Sequence, residues 1–270
     1  HDNKLWRLHA QRLLVERGQK DVIPELLGLV KDPAVDALGL NPAAIHALWT
    51  LEGLGALQAP SHAVQKALTA ALDHPSAGVR RAAVMVAPKS SALLKAMLRA
   101  DLTNDDDAQV RLATLLALAE MPADGDAAKA ILGVLESPAN AHERWIMDAA
   151  TAAAATHDAD FLQAFLGSDP QDGSLTEGVH QVLSQITSHY AARGPIDSIV
   201  SVLQSLKQAS PELSGVVLDG LLSGWPEEAT PDLSRRDRRR LEGLMDDLSI
   251  DVQDRLLSLG RRWQVDGLFA

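Results

Sequence analysis

Apolar residues recur along the chain at intervals of three and four, in short blocks separated by Gly, Pro, Asp and Asn. That period puts them on one face of an α-helix, whereas alternation by two would mark a strand. The blocks predict helices at 4–17, 21–31, 42–55, 61–72, 76–87, 90–99, 107–121, 127–135, 141–155, 159–166, 175–193, 196–208, 211–223, 234–248 and 251–263. The first twelve fall into six pairs, and the last three form a C-terminal group. Turn chemistry marks several of the cuts. Pro42 after Asn41 and Pro211 after Ser210 suit a first helical residue following its N-cap. Ser234 and Asp237 make a variant capping box, and Asp124-Gly125 and Asp172-Gly173 are turn dipeptides. The longest break, near 224–231, contains Pro226 and Pro231 and is expected to be an irregular loop.

The pattern also repeats. Val79-Arg80-x-Ala82-Ala83 returns 31 positions later as Val110-Arg111-x-Ala113-Thr114, and the chain opens on a related Trp6-Arg7-x-x-Ala10. A period of this size belongs to stacked two-helix units. In each copy an apolar residue and a small one share a helical face, so that the next helix can approach closely. The arginine between them points away from that face, toward carbonyls or acidic turn residues of the preceding repeat.

This arrangement of an Asp-rich turn followed by Val-Arg-x-x-Ala resembles the HEAT repeat family, in the short form found in bacterial proteins. The resemblance covers 73–87 and 105–119 and extends to the opening repeat. It implies an all-α, right-handed α-solenoid of six to seven helix pairs. On this reading residues 1–270 are a single repeat domain, with clear repeats over 1–137, degenerate ones over 138–223 and a cap over 224–270. The runs 5–18 and 45–51 are also similar to the HEAT segment of large exported bacterial proteins. Those proteins join a sorbosone-dehydrogenase-like propeller and a haem-binding cytochrome c domain. That second resemblance implies an interdomain connector in the periplasm or outside the cell. No Cys-x-x-Cys-His is present, so neither haem binding nor dehydrogenase activity carries over. The chain opens on His1 with a helical pattern under way by Lys4, which reads as a piece of a longer polypeptide.

Composition agrees with helices. Of the 270 residues 46% are hydrophobic but only 3% aromatic, with Ala and Leu dominant, a mixture that suits helices better than sheets. The net charge of −11 argues against a broad nucleic-acid footprint, because such binding needs Lys and Arg to neutralise phosphates. With no cysteine there is no disulfide and no thiolate chemistry, and no apolar run reaches the roughly 20 residues of a membrane span.

Candidate chemistry is scattered. The nine histidines do not pair at metal-ligand spacing, and His9 and His46 stand out only by their place in first helices. Asp105-Asp106-Asp107 reads as an inter-repeat turn, with Asp107 as N-cap and Asp105 or Asp106 paired to Arg80 or Arg111. Arg235, Arg236, Arg238, Arg239 and Arg240 form the one basic cluster, read as a solvated terminal cap with offset pairs such as Arg238 to Glu242. Trp6, Trp49 and Trp145 occupy apolar helical positions and are expected in the core. Trp225, beside Pro226, is the expected exposed anchor.

The repeat signature therefore rests on Trp6, Arg7, Ala10, Val79, Arg80, Ala83, Val110 and Arg111, and the partner-binding candidates are Trp225, Arg235, Arg236 and Arg239. The expected function is a non-catalytic scaffold for a protein partner or for neighbouring domains, without cofactor, metal or nucleic acid. The alternatives are a HEAT-fold enzyme of the DNA glycosylase or phycobilin lyase type, and a metal- or haem-associated accessory domain.

Overall fold

A computed structural model describes residues 3–140, 143–168, 177–265 and 268–269. Among them are fifteen α-helices and no strand. They are α1 (Lys4–Arg17), α2 (Ile23–Lys31), α3 (Pro42–Gly53), α4 (His62–Ala71), α5 (Ala77–Val86), α6 (Ser91–Arg99), α7 (Ala108–Leu118) and α8 (Gly125–Glu136). The chain continues through α9 (Arg144–Thr156), α10 (Asp158–Gly167), α11 (Glu177–Ala192), α12 (Ile199–Ser205), α13 (Pro211–Gly224), α14 (Arg235–Glu242) and α15 (Ile250–Arg262). Among the described residues no helix is long and apolar enough to cross a membrane.

The helices begin where local chemistry dictates. Asn3, Asn41, Ser61, Ser90, Asp107, Asp124, Ser210 and Ser234 each accept a hydrogen bond from a backbone N–H of the first turn, which relieves donors that the helix itself leaves unpaired. Gly18 ends α1 in the left-handed region (φ 66°), where its N–H reaches the carbonyls of Leu14 and Val15.

Two compact units result, one comprising His1–Pro122 with His142–Ala153, the other Ala123–Ala141 with Ala154–Ala270. In the first, α1 packs on α3, α3 on α5 and α5 on α7, while α2 lies against α3 and α4. In the second, α8 packs on α10, α10 on α12 and α12 on α14, and beside them α11 packs on α13 and α13 on α15. Most of these contacts join helices two elements apart, and α2 on α3 joins consecutive ones. Small and branched apolar side chains fill the contacts: Val79, Ala83, Val110, Leu115, Leu48 and Leu51 are all buried. The second unit contains a very close approach. A Cβ on Gly224 would lie 2.3 Å from the Ser188 carbonyl oxygen, and one on Gly220 would lie 2.8 Å from Thr187 Cβ, so α13 meets α11 backbone to backbone.

Several expectations are corrected. Block 234–248 is not one helix: α14 stops at Glu242, and Met245–Asp247 forms a separate 3-10 turn. Block 196–208 becomes α12 followed by a 3-10 turn at Leu206–Gln208. Trp6 (56% exposed) and Trp145 (69%) are not in the core. Helix α1 buries none of its residues and leaves Leu5, Trp6, Leu8 and Leu13 in solvent, with Ala10 of the repeat signature exposed as well. Trp145 instead lies beneath the Arg144 guanidinium, 5.7 Å from the ring centroid, at cation–π distance. The Asp172-Gly173 turn and the predicted start at 175 lie outside the described residues.

Candidate functional site

The turns of the two clearest repeats share a set of hydrogen bonds. Arg80 Nη1 donates to the carbonyls of His74 (2.8 Å) and Pro75 (3.2 Å), six and five residues back. Thirty-one positions on, Arg111 Nη1 donates to the carbonyls of Asp105 (2.7 Å) and Asp106 (3.3 Å) in the same way. In the turn itself the Ser76 N–H donates to His74 Nδ1 at 2.9 Å, and the Asp107 N–H donates to Asp105 Oδ1 at 2.9 Å. An imidazole nitrogen and a carboxylate oxygen thus do the same job at one repeat position, because both are acceptors at the same reach. Having accepted at Nδ1, the buried His74 ring donates from Nε2 to the Asp32 carbonyl (2.9 Å) and ties its turn to the one before. Sequence reasoning took His74 only as a helix end. Superposing 74–76 on 105–107 at the 31-residue offset was the signal that would have found its role.

The expected pairing of the acidic turn is seen between Arg80 and Asp105. The guanidinium makes a two-pronged contact, Nε to Oδ2 and Nη2 to Oδ1, each at 2.7 Å. The carboxylate belongs to the following turn, not to the preceding one. Burial pushes the Asp105 pKa up, but the hydrogen bonds from Arg80 and the Asp107 N–H outweigh it and hold the group below the ordinary aspartate range. In the second unit Asp158 behaves oppositely: burial lifts its pKa despite the ion pair with Arg193. His46, one of the two histidines singled out, joins α3 to α1 through Nδ1 and Gln11 Oε1, 2.6 Å apart. Partial burial, with Arg7 and Lys4 nearby, lowers its pKa. His9 is exposed and meets Trp6 edge-on.

The same offset builds a groove. Helix α5 and the residues after it present Arg81, Met85 and Lys89, spaced by four, and α7 and the residues after it present Leu112, Leu116 and Glu120 at the same spacing. Each residue of the second row stands 31 positions after its counterpart. Residues four apart lie on one helical ridge, so two equivalent ridges enclose a cleft of about 280 Å³. Met85 (48% exposed) and Leu116 (51%) form its open apolar middle. One end is closed by a 3.0 Å ion pair between Lys89 and Glu120, and exposed Arg81 stands at the other. Such a cleft can seat apolar side chains with a carboxylate beside Arg81.

The partner-binding candidates separate. Trp225 is 1% exposed and is not an anchor. Its ring packs on Trp263 with centroids 5.1 Å apart, its Nε1 donates to the Ala229 carbonyl at 2.6 Å, and its own carbonyl accepts from Arg262 Nε and Nη2. The adjacent proline and glutamates suggested solvent, yet the loop folds back and covers the indole. Arg235, Arg236 and Arg239 are exposed on α14, as are Arg238 and Arg240. The expected pair of Arg238 with Glu242 is not formed, and among the described residues none of the five arginines is in an ion pair. The capping box of Ser234 and Asp237 is formed, at 3.2 Å from N–H to Oγ and 2.6 Å from Oγ to Oδ2.

A polar recess of about 340 Å³ in the second unit is lined by His180, Glu212, Asp219, Asp251 and Arg255, with Arg255 already bonded to Asp219 at 2.9 Å. Among the described residues no three His, Asp or Glu side chains converge as metal ligands. Among the described residues the fold defines an all-helical protein. In comparisons with known proteins the chain matches no protein-family model, no curated protein and no solved structure.

Proposed function

We propose that the chain is a HEAT-like α-solenoid that acts as a non-catalytic scaffold, holding a protein partner or a neighbouring domain of its own polypeptide. The observation that supports this most directly is the groove between α5 and α7. Equivalent positions of successive repeats supply both its walls, and they leave apolar side chains in solvent where stability alone places polar ones. Stacked repeats are suited to this task, because each buries its core against its neighbours and leaves an extended surface for others. Contiguous exposed apolar surface rimmed by charge is the usual mark of a protein-binding site.

The test is site-specific photo-cross-linking in the source cells, with a photoreactive residue at position 116 in the groove and, as a control, at the exposed position 129 on α8. The expected result is a discrete adduct with one protein, or with another region of the same polypeptide, formed from position 116 alone and abolished by Met85→Gln. Adducts equally abundant from both positions, or none from position 116, would sink the reading.

A further inference from the structure

The five arginines of α14 are a second surface with a different chemistry. Helix α14 is held to its unit by Leu241, which is fully buried, by packing on α12, and by a 2.8 Å hydrogen bond from Gln204 Nε2 to the Arg240 carbonyl. With Leu241 inward, the 100° turn per residue sends Arg235, Arg236 and Arg239 to the opposite, solvent side. Three observations set this face apart from a solvated cap. No described acidic side chain pairs with it, although Glu242 is within one turn. Arg235 and Arg239, and likewise Arg236 and Arg240, are like charges at i,i+4, an arrangement that destabilises an isolated helix. Arg235 and Arg236 also occupy the first turn, where the helix dipole favours anions. Five exposed cations on eight residues, none of them in an ion pair among the described residues, leave their donors open to a ligand.

We infer that the outward face of α14 is a docking site for an acidic segment of a protein partner, with Arg235, Arg236 and Arg239 as its carboxylate receptors. This inference rests on the scaffold reading and names the chemistry of one partner element. Side chains four apart on a helix stand about 6 Å from one another, which matches carboxylates one helical turn apart. Planar guanidinium forks take such carboxylates two-pronged, as Arg80 takes Asp105. A nucleic acid fits less well. The face is only about 12 Å long, has no exposed aromatic for bases to stack on, and sits on an acidic chain. A lipid surface fits less well too, because the apolar residue of α14 is buried and nothing remains to insert.

The probe is a fluorescein-labelled ten-residue Glu-rich peptide, titrated with the whole chain and followed by anisotropy at low and at physiological salt. Salt-sensitive binding is expected, weakened roughly tenfold or more when Arg235→Glu, Arg236→Glu and Arg239→Glu are combined. The corresponding lysine triple, which keeps charge and loses the fork, should fall between. Far-UV circular dichroism of the triple Glu variant should match that of the parent, so that lost binding reports the face of α14 and not the fold. Absence of salt-sensitive binding, equal binding by the triple Glu variant, or tighter binding of a single-stranded oligonucleotide or an anionic vesicle would each overturn the assignment. Loss of peptide binding alone, with the position-116 adduct retained, removes only this inference. Retained peptide binding without that adduct removes the groove as the scaffold's contact.

Discussion

Asp105 is the residue through which one repeat is fastened to the next. It accepts both prongs of Arg80, it receives its own turn's Asp107 N–H, and its carbonyl receives Arg111. Both partners of the ion pair are largely removed from water, with side chains 18% and 5% exposed, so removing one leaves the other poorly solvated. Asp105→Asn is expected to cost about 1–3 kcal/mol at neutral pH. Its folded pKa is depressed, so the stabilisation is complete above the unfolded aspartate value of about 3.9 and is lost as pH falls through the lower folded value. Urea denaturation of parent and variant at pH 7 and near pH 3 checks this: the gap between them should narrow in acid. A gap independent of pH would place the cost elsewhere.

At the scale of the element, glycine positions divide by what faces them. Gly224 on α13 has no room for a Cβ, because the Ser188 backbone of α11 occupies the space. Gly133, exposed on α8, has nothing within 4 Å. The same chemical change should therefore act with opposite sign. Gly224→Ala forces two helices apart and is expected to destabilise by about 1–3 kcal/mol, whereas Gly133→Ala gains about 0.5–1 kcal/mol from helix propensity alone. Thermal midpoints of the two variants measure this, and a shift of the same sign in both would refute the packing account. The helices themselves were legible because their starts are local. A cap at Asn41, Ser210 or Ser234 needs only its own side chain and the next three residues. Where a helix stopped was less legible, as at α14, which ends six residues before its apolar pattern does.

For the molecule as a whole, charge is the dominant long-range feature. The 36 acidic side chains outnumber the 25 Lys and Arg, and five of the arginines are concentrated on α14. Self-repulsion of like charge disfavours the compact state, and salt screens it over a Debye length of about 8 Å at physiological strength. Raising sodium chloride from 20 to 300 mM (both approximate settings) should lift the thermal midpoint by about 2 °C, equivalent to under about 1 kcal/mol for a chain of this size. The same salt should weaken binding of an acidic peptide to α14. A midpoint that falls with salt would mean that specific ion pairs outweigh the repulsion.

The sequence by itself determined that the chain is helical, roughly where each helix lies, and that the acidic turn at 105–107 caps a helix and pairs with an arginine of the repeat signature. Those properties depend on period, caps and a 31-residue offset, all of which are written within a few dozen residues. Which surfaces remain open was decided by tertiary structure alone. Trp225 reads as an exposed loop residue and is buried against Trp263, while Trp6 and Trp145 read as core and stand in solvent. An indole's exposure depends on what packs against it from distant parts of the chain. The groove shows the same division: its residues are plain in the sequence, but only the packing of α5 on α7 turns two rows into two walls.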